Sequence, residues 1–192
     1  MKVLAVSGSP RTNGNTTTLL RMVLEELDSR GVETELVQLA GRRIGGCIAC
    51  YRCYSAKNGL CAVADDAFNE VFGKMTAADA VLLGTPTYVA DVSPEIKALI
   101  DRATLVSRGN GGLLKRKLGA AVVAVRRAGS IHAFDSINHF FTINEMIIPG
   151  SSYWNLGIGR EKGEVTEDEE GVRTMRTLGE NMAWLFERVF GG

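Results

Sequence analysis

The chain has 192 residues, 45% hydrophobic and 23% charged, a composition typical of globular proteins that argues against a disordered or collagen-like chain. Lysine plus arginine and aspartate plus glutamate each number 22, and the resulting net charge of zero argues against nucleic acid or an anionic membrane as a partner. The longest apolar run, residues 120–125, is far shorter than the ~20 residues that cross a bilayer, and residues 1–6 are too few for a signal-peptide core, so we predict a cytoplasmic protein.

Strand-like and helix-like segments alternate along the chain. Short runs of β-branched and aliphatic residues stop at glycine, proline or hydroxyl residues, and amphipathic stretches follow them. The predicted elements, in chain order, are a strand at 2–6, helix Asn15–Ser29, a strand at 32–39, a helix from 65–66 to about 76, a strand at 80–83, a helix from 93–94 to about 106, strand Leu118–Val125, a helix at 131–146, a short fifth strand at 147–148, and a last helix opened by a capping box of Thr166 with Glu169.

This alternation predicts an α/β fold in which helices cover both faces of a parallel sheet. Five strands suit a three-layer, doubly wound sheet in the order 2-1-3-4-5, formed by a single domain over residues 1–192 with a cysteine-rich insertion at about 41–61. Ligands of such sheets bind outside the carboxyl ends of the strands, at the switch point between strands 1 and 3. We expect three loops to meet there, at residues 7–16, 85–91 and 126–130.

The first of these loops has the chemistry of an anion site. It is rich in hydroxyls and glycines and ends at a helix N-terminus, where free N–H groups favour a phosphate monoester. It matches neither the nucleoside-triphosphate loop nor the dinucleotide fingerprint, because no lysine precedes Thr16 and Gly8 is followed by Ser9 and Pro10. An ordinary capped turn is the alternative. The second loop exposes backbone and an aromatic ring at residues 85–89, which suits a flat heterocycle, although Tyr88 is equally suited to packing.

The four cysteines form a compact group. Cys47, Cys50, Cys53 and Cys61 have the spacing C-x2-C-x2-C-x7-C, and the first three match the run that binds iron–sulfur clusters in bacterial ferredoxins. The seven intervening residues give Cys61 enough chain to reach the same cluster, so one four-iron, four-sulfur cluster is the simplest interpretation. Structural zinc and plain or redox-active thiols are the alternatives.

Three stretches of the sequence together resemble a known family. They are residues 7–11 continuing through 14–16, the cysteine run from Cys47 to Cys61 ahead of 65–66, and residues 86–88. They resemble the iron–sulfur flavoproteins and NADPH-dependent FMN reductases of the flavodoxin fold. The resemblance implies a noncovalent FMN in a flavodoxin-like domain, and a homodimer or homotetramer with the flavin near a subunit interface. The implied phosphate ligands are Ser9, Arg11, Asn15 and Thr16, and the implied ring contacts are Pro86, Thr87, Tyr88, Arg127, Ala128 and Gly129.

Several further side chains have two interpretations. Arg126 or Arg127 would stabilise negative charge on reduced flavin, or would simply be a solvated strand end. His132 is placed to touch flavin and His139 to pack, and a helical spacing of seven makes a shared metal ion improbable. Four aromatic residues would line a subunit contact, cover the flavin or belong to the core; they are Phe140, Phe141, Tyr153 and Trp154.

Two functions from different classes follow. One is an oxidoreductase that takes electrons from NAD(P)H or a ferredoxin-like donor and passes them to a small acceptor, with the cluster as a one-electron relay. The other is an electron carrier whose flavin and cluster exchange electrons with partner proteins only. A cluster-free reductase and a zinc-stapled binding module remain as further alternatives. The sequence assigns no catalytic residue and does not distinguish a lid from a plain loop at residues 157–170.

Overall fold

A computed structural model describes residues 1–189 and contains one five-stranded sheet. Its strands are β1 (Lys2–Ser7), β2 (Glu33–Gln38), β3 (Ala80–Pro86), β4 (Leu118–Val125) and β5 (Leu156–Ile158). All pairings between them are parallel, and the order is β2-β1-β3-β4-β5. The predicted doubly wound sheet and its strand order are therefore confirmed.

Helices cover both faces of this sheet. They are α1 (Asn15–Ser29), α2 (Arg52–Ala56), α3 (Phe68–Ala77), α4 (Pro94–Gly109), α5 (Ser130–Ile143) and α6 (Glu169–Val189). One apolar cluster packs α1 and α6 against one face, and the other packs α3, α4 and α5 against the opposite face. Because successive strand residues point to opposite faces, Leu82 belongs to one cluster and Leu83 to the other. This two-sided burial explains the uninterrupted apolar character of β3 and β4.

The fifth strand lies later in the chain than predicted. Ile147 makes only an isolated parallel bridge with Leu118, whose neighbour Gly119 donates its N–H to the Ile147 carbonyl at 2.9 Å. Pro149 then offers no N–H for a ladder, so the chain leaves the sheet and returns beside the far end of β4 as β5. The predicted strand at 147–148 was therefore wrong, although it contacts the correct neighbour.

The start of the last helix also differs from the prediction. Thr166 ends a short 3₁₀ turn, Glu164–Thr166, and does not cap α6. Asp168 does so instead, since its carboxylate accepts the Gly171 N–H at 3.0 Å and the Ile158 N–H at 2.7 Å. The capping box of Thr166 with Glu169 was therefore wrong, and the acid that replaces it ties α6 to β5. Over residues 1–189, every helix is too short or too polar to cross a bilayer.

Candidate functional site

A cleft of about 310 Å³ opens at the carboxyl ends of the central strands, where the strand order reverses. Seven of the predicted phosphate and ring contacts line this strand-end cleft: Ser9, Arg11, Asn15, Thr16, Pro86, Thr87 and Tyr88. Of the predicted residues after β4, Arg127, Ala128 and Gly129 are not part of the lining, whereas their neighbour Arg126 is. The three loops therefore meet at this cleft as predicted, but the third loop contributes Arg126 and none of the ring contacts predicted at 127–129.

The first loop turns tightly into α1. The Ser9 hydroxyl accepts the Arg11 N–H at 3.2 Å, and the Gly14 N–H donates to the Arg11 carbonyl at 3.2 Å. Gly14 is the N-cap of α1 and has no side chain to accept the first-turn N–H groups. An uncapped helix N-terminus that opens on a cleft is a ready anion site.

Positively charged side chains line the cleft onto which this helix end opens. Arg11, Arg126, Arg160 and Lys162 all border the strand-end cleft. The last two lie in the loop after β5, and they were not predicted because the fifth strand was expected earlier in the chain. The segment at 157–170, whose role was left open, thus contributes β5 and one wall of the cleft.

Asn15 holds that wall in place. Its side-chain amide donates to the carbonyls of Gly159 and Glu161 at 3.1 and 2.9 Å, and its Oδ1 accepts the Gly163 N–H at 2.7 Å. Glu164 adds a second anchor, because its carboxylate accepts the backbone N–H groups of Glu161 and Arg160. These two bonds hold the pKa of Glu164 below its ordinary value. The Asn15 side chain, predicted to bind the phosphate, thus bonds to the loop at 159–163.

The second loop is a strained hairpin turn. Tyr88 and Asp91 exchange backbone hydrogen bonds at 2.8 and 2.9 Å, while Val89 and Ala90 between them have φ values of 49° and 62°. Such left-handed residues are costly without glycine and cluster at functional sites. Gly129 packs behind this turn, since a Cβ there would lie 2.8 Å from the Ala90 Cα. Gly129 therefore supports the turn from outside the cleft.

The remaining singled-out side chains are spread over α5 and the segment after it. His132 Nε2 lies 3.7 Å from Asp91 Oδ2, whereas His139 borders an open groove of about 940 Å³ between α4 and α5. Phe140 and Phe141 are buried in the core, as their core interpretation requires. Tyr153 and Trp154 are half-exposed, with ring centroids 4.8 Å apart.

The four cysteines converge on a second, smaller cavity. Cys47, Cys50, Cys53 and Cys61 line a space of about 20 Å³ together with Arg102, which we call the cysteine pocket. Cys47 and Cys50 are exposed, Cys61 is half-buried, and burial raises the pKa of the Cys53 thiol. Among residues 1–189, no three histidine, cysteine or acidic side chains are close enough together to hold a single metal ion.

Side chains from α3 and α4 tie the cysteine segment to the sheet. Asn69 on α3 clamps Cys61, because its Oδ1 accepts the Cys61 N–H at 2.9 Å and its Nδ2 donates to the Cys61 carbonyl at 3.0 Å. Asn110, at the end of α4, donates to the Cys53 carbonyl at 3.3 Å and accepts the Gly59 N–H at 2.9 Å. The ion pair of Arg102 with Asp66 completes the attachment.

Comparisons with known proteins identify a family for this chain. Residues 1–161 match the family described as NADPH-dependent FMN reductase. An iron-sulfur flavoprotein of Methanocaldococcus jannaschii is 37% identical over 190 residues, covering 95% of this chain and 96% of that protein. The iron-sulfur flavoprotein of Methanosarcina thermophila is 32% identical, covering 98% and 97%.

Solved structures share the fold at lower identity. RosB with a bound 8-demethyl-8-formylriboflavin-5'-phosphate superimposes with a TM-score of 0.77 at 18% identity, covering 98% of this chain and 81% of that one. NAD(P)H:quinone oxidoreductase from Methanothermobacter marburgensis does so with a TM-score of 0.69 at 14% identity, covering 95% and 96%. At these identities the likeness establishes the flavodoxin-like fold.

Proposed function

The chain belongs to the NADPH-dependent FMN reductase family, and we propose that it is an FMN-dependent oxidoreductase that also carries a four-iron, four-sulfur cluster on its cysteines. Its electrons would come from NAD(P)H or a ferredoxin-like donor. The observation that carries this proposal is the presence of two distinct sites in one chain. In the first site, an uncapped helix end and four positively charged side chains share one cleft, which suits a phosphate. In the second, four thiols line one cavity.

The strand-end cleft fits FMN. The N-terminus of α1 and the hydroxyls of Ser9 and Thr16 supply donors for the phosphate, and four cations around them balance its charge. Pro86, Thr87 and Tyr88 would border the ring system, and Arg126, from the loop after β4, lines the same cleft. Bound FMN supplies two-electron acceptance as hydride and one-electron release.

Within this cleft the chain's own work is positioning and electrostatics. Asn15 and Glu164 fix the loop at 159–163, so Arg160 and Lys162 stay beside the phosphate site without reorganisation on binding. Gly129 packs against the Tyr88 turn, which keeps the aromatic side chain at the cleft's edge. Arg126, and not Arg127, is the candidate for stabilising negative charge on the ring, because Arg126 alone of the two lines the cleft.

The cysteine pocket fits an iron–sulfur cluster better than structural zinc. Tetrahedral zinc needs all four sulfurs about 2.3 Å from one point, whereas in the cubane each thiolate binds a different iron. The four thiols line one shared cavity, and the run of three cysteines with two residues between neighbours is that of cluster-binding ferredoxins, whereas zinc sites usually present two separated C-x2-C pairs. Ala49 and Tyr51, between the first three cysteines, have left-handed backbones with φ values of 52° and 54°, which turn the chain around the pocket. Cys47, Cys50, Cys53 and Cys61 are the proposed ligands.

We further propose that the chain forms a homodimer or homotetramer. Ile148, Tyr153 and Trp154 leave large apolar side chains exposed just before β5, on a segment that the sheet does not use. Mass measurement by light scattering tests this, since a monomeric mass would leave these residues without the proposed contact.

Rapid mixing under anaerobic conditions tests the enzymatic assignment. We expect NADPH or NADH to bleach the flavin absorbance of the purified protein within seconds and to sustain turnover with a quinone. Negligible reduction by both nucleotides, with fast reduction by a reduced ferredoxin, would contradict the NAD(P)H-linked reductase and favour the electron carrier. Arg30→Gln, a surface change at the end of α1, provides a control variant remote from both sites.

A further inference from the structure

Arg102, on α4, is a charged side chain in the interior of the molecule. It is only 1% exposed, and the Phe68 ring lies against its guanidinium at 4.1 Å. Nη1 donates to the Gly45 carbonyl at 3.1 Å and to the Asp66 carboxylate, and Nη2 donates to the Val63 carbonyl at 2.6 Å. The Asp66 carboxylate balances the charge of Arg102, and the three hydrogen bonds together use most of its N–H donors.

One nitrogen of this side chain makes no hydrogen bond. Arg102 Nε is buried and has no hydrogen-bond partner within residues 1–189. Buried N–H groups almost always have an acceptor, so an orphaned one calls for an explanation. The other two nitrogens already bond to Asp66 and to two backbone carbonyls, which leaves Nε without an acceptor. The guanidinium packs on the Phe68 ring.

The surroundings of Arg102 point to sulfur as the missing acceptor. Arg102 lines the cysteine pocket along with all four cysteines, and the other side chains of that lining are apolar apart from Tyr51. Cys61 itself is held by Asn69 on both sides of its backbone, which fixes it opposite α4. Thiolates and bridging sulfides accept hydrogen bonds, and such bonds set the reduction potentials of iron–sulfur clusters.

We propose that Arg102 is a positioning residue of the cysteine pocket, whose Nε–H donates to a sulfur of the bound cluster. This inference rests on the proposed function. The bond stabilises the more negative, reduced form, so Arg102 raises the reduction potential of the cluster and slows the loss of its iron. Arginine suits this role because its guanidinium stays charged and uses one rigid fork for both the segment and the sulfur.

The first measurement uses the wild-type protein. Chains grown with arginine labelled with ¹⁵N at Nε are purified anaerobically, reduced, and examined by pulsed electron paramagnetic resonance. We expect a weak ¹⁵N coupling to the cluster that is absent from Arg102→Lys and retained in Arg52→Lys. Arg52 is the matched control, because it lies exposed between two of the cysteines.

The second measurement compares potentials and iron retention in the same three proteins. In Arg102→Lys we expect a lower midpoint potential of the cluster and an iron-release rate to a chelator that rises about tenfold, as for other outer-shell partners of metal sites. A fully loaded Arg102→Lys protein with an unchanged potential and coupling would show that Arg102 is only a tether.

The outcomes separate this inference from the proposed function. A wild-type cluster without ¹⁵N coupling contradicts the inference alone, even if Arg102→Lys fails to fold. A wild-type protein that holds flavin but no iron contradicts the cluster assignment and the inference with it.

Discussion

The strand-end cleft and the cysteine pocket are built by different means. The cleft uses loops that a parallel sheet brings together at its carboxyl edge, with helix N–H groups and backbone turns as its main parts. The pocket uses an insertion whose regular structure is limited to Arg52–Ala56, held in place by polar side chains on α3 and at the end of α4. Backbone positions survive many substitutions, whereas side-chain tethers do not. We therefore expect flavin binding and iron binding to be lost independently.

Loss of a single thiol should separate the two sites most strongly, because it removes iron binding and leaves flavin binding intact. Cys61→Ser should abolish most iron binding, because the hydroxyl is a poor ligand for iron, and leave the FMN content unchanged. Iron, sulfide and flavin assays on anaerobically purified protein measure both effects, with Ser55→Ala in the same segment as the control. Unchanged metal content in serine variants of all four cysteines would refute the cluster site.

Asn15→Ala is expected to damage the cleft and spare the pocket. It removes three hydrogen bonds to the loop at 159–163, each worth about 1 kcal/mol, and so loosens the wall that carries Arg160 and Lys162. We expect the FMN dissociation constant to rise roughly tenfold, as measured by fluorescence titration of flavin-free protein. Asn181→Ala, which loses one exposed bond to the Gly150 carbonyl, should leave that constant unchanged. An unaltered constant in Asn15→Ala would show that the loop is dispensable.

Asn69→Ala should weaken the cysteine pocket and leave the strand-end cleft unchanged, with a smaller effect than that of Asn15→Ala. It frees both backbone groups of Cys61 and should lower the free energy of unfolding by about 1–2 kcal/mol. We expect faster release of iron to a chelator and an FMN affinity equal to that of the wild type. A drop in flavin affinity as large as the loss of iron would show that the two sites are coupled and would break the comparison.

The smallest expected effect is a pH dependence at Glu164. Because backbone N–H groups depress its folded pKa, its contribution is present above the ordinary value of 4.5 and is lost as pH falls through the folded pKa. At pH 7, Glu164→Gln should weaken FMN binding by less than about fivefold. The ratio of the two proteins' dissociation constants should approach one in acid, and a ratio that grows as pH falls would contradict this role.

The sequence predicted the sheet better than its edge. Apolar runs and turn residues identified four strands, and the alternation of strands with helices gave the order of all five, because a doubly wound sheet of this size has a standard strand order. The fifth strand was misplaced because the β-branched pair at Ile147 and Ile148 has stronger strand character than the short Leu156–Ile158, which contains a glycine. The segment Leu156–Ile158 becomes the strand only because the folded chain leaves the sheet at Pro149 and returns beside β4.

The sites, too, contain residues that local motifs predict and residues that only the tertiary structure places. The residues of the first loop and the cysteine spacing were visible as motifs, and the structure brings each set together. Arg160 and Lys162 were missed because their place depends on β5. Arg102 and Asn69 were missed because a polar residue inside an amphipathic helix usually faces solvent, and nothing in local sequence shows that a cysteine segment will pack over it.

The central claim is that one chain holds a flavin and an iron–sulfur cluster at separate sites. It is tested most directly by measuring FMN, iron, zinc and acid-labile sulfide on one anaerobically purified sample. We predict one FMN with about four irons and four sulfides per chain, and no zinc. Zinc in place of iron, or a colourless protein without flavin, would contradict the account.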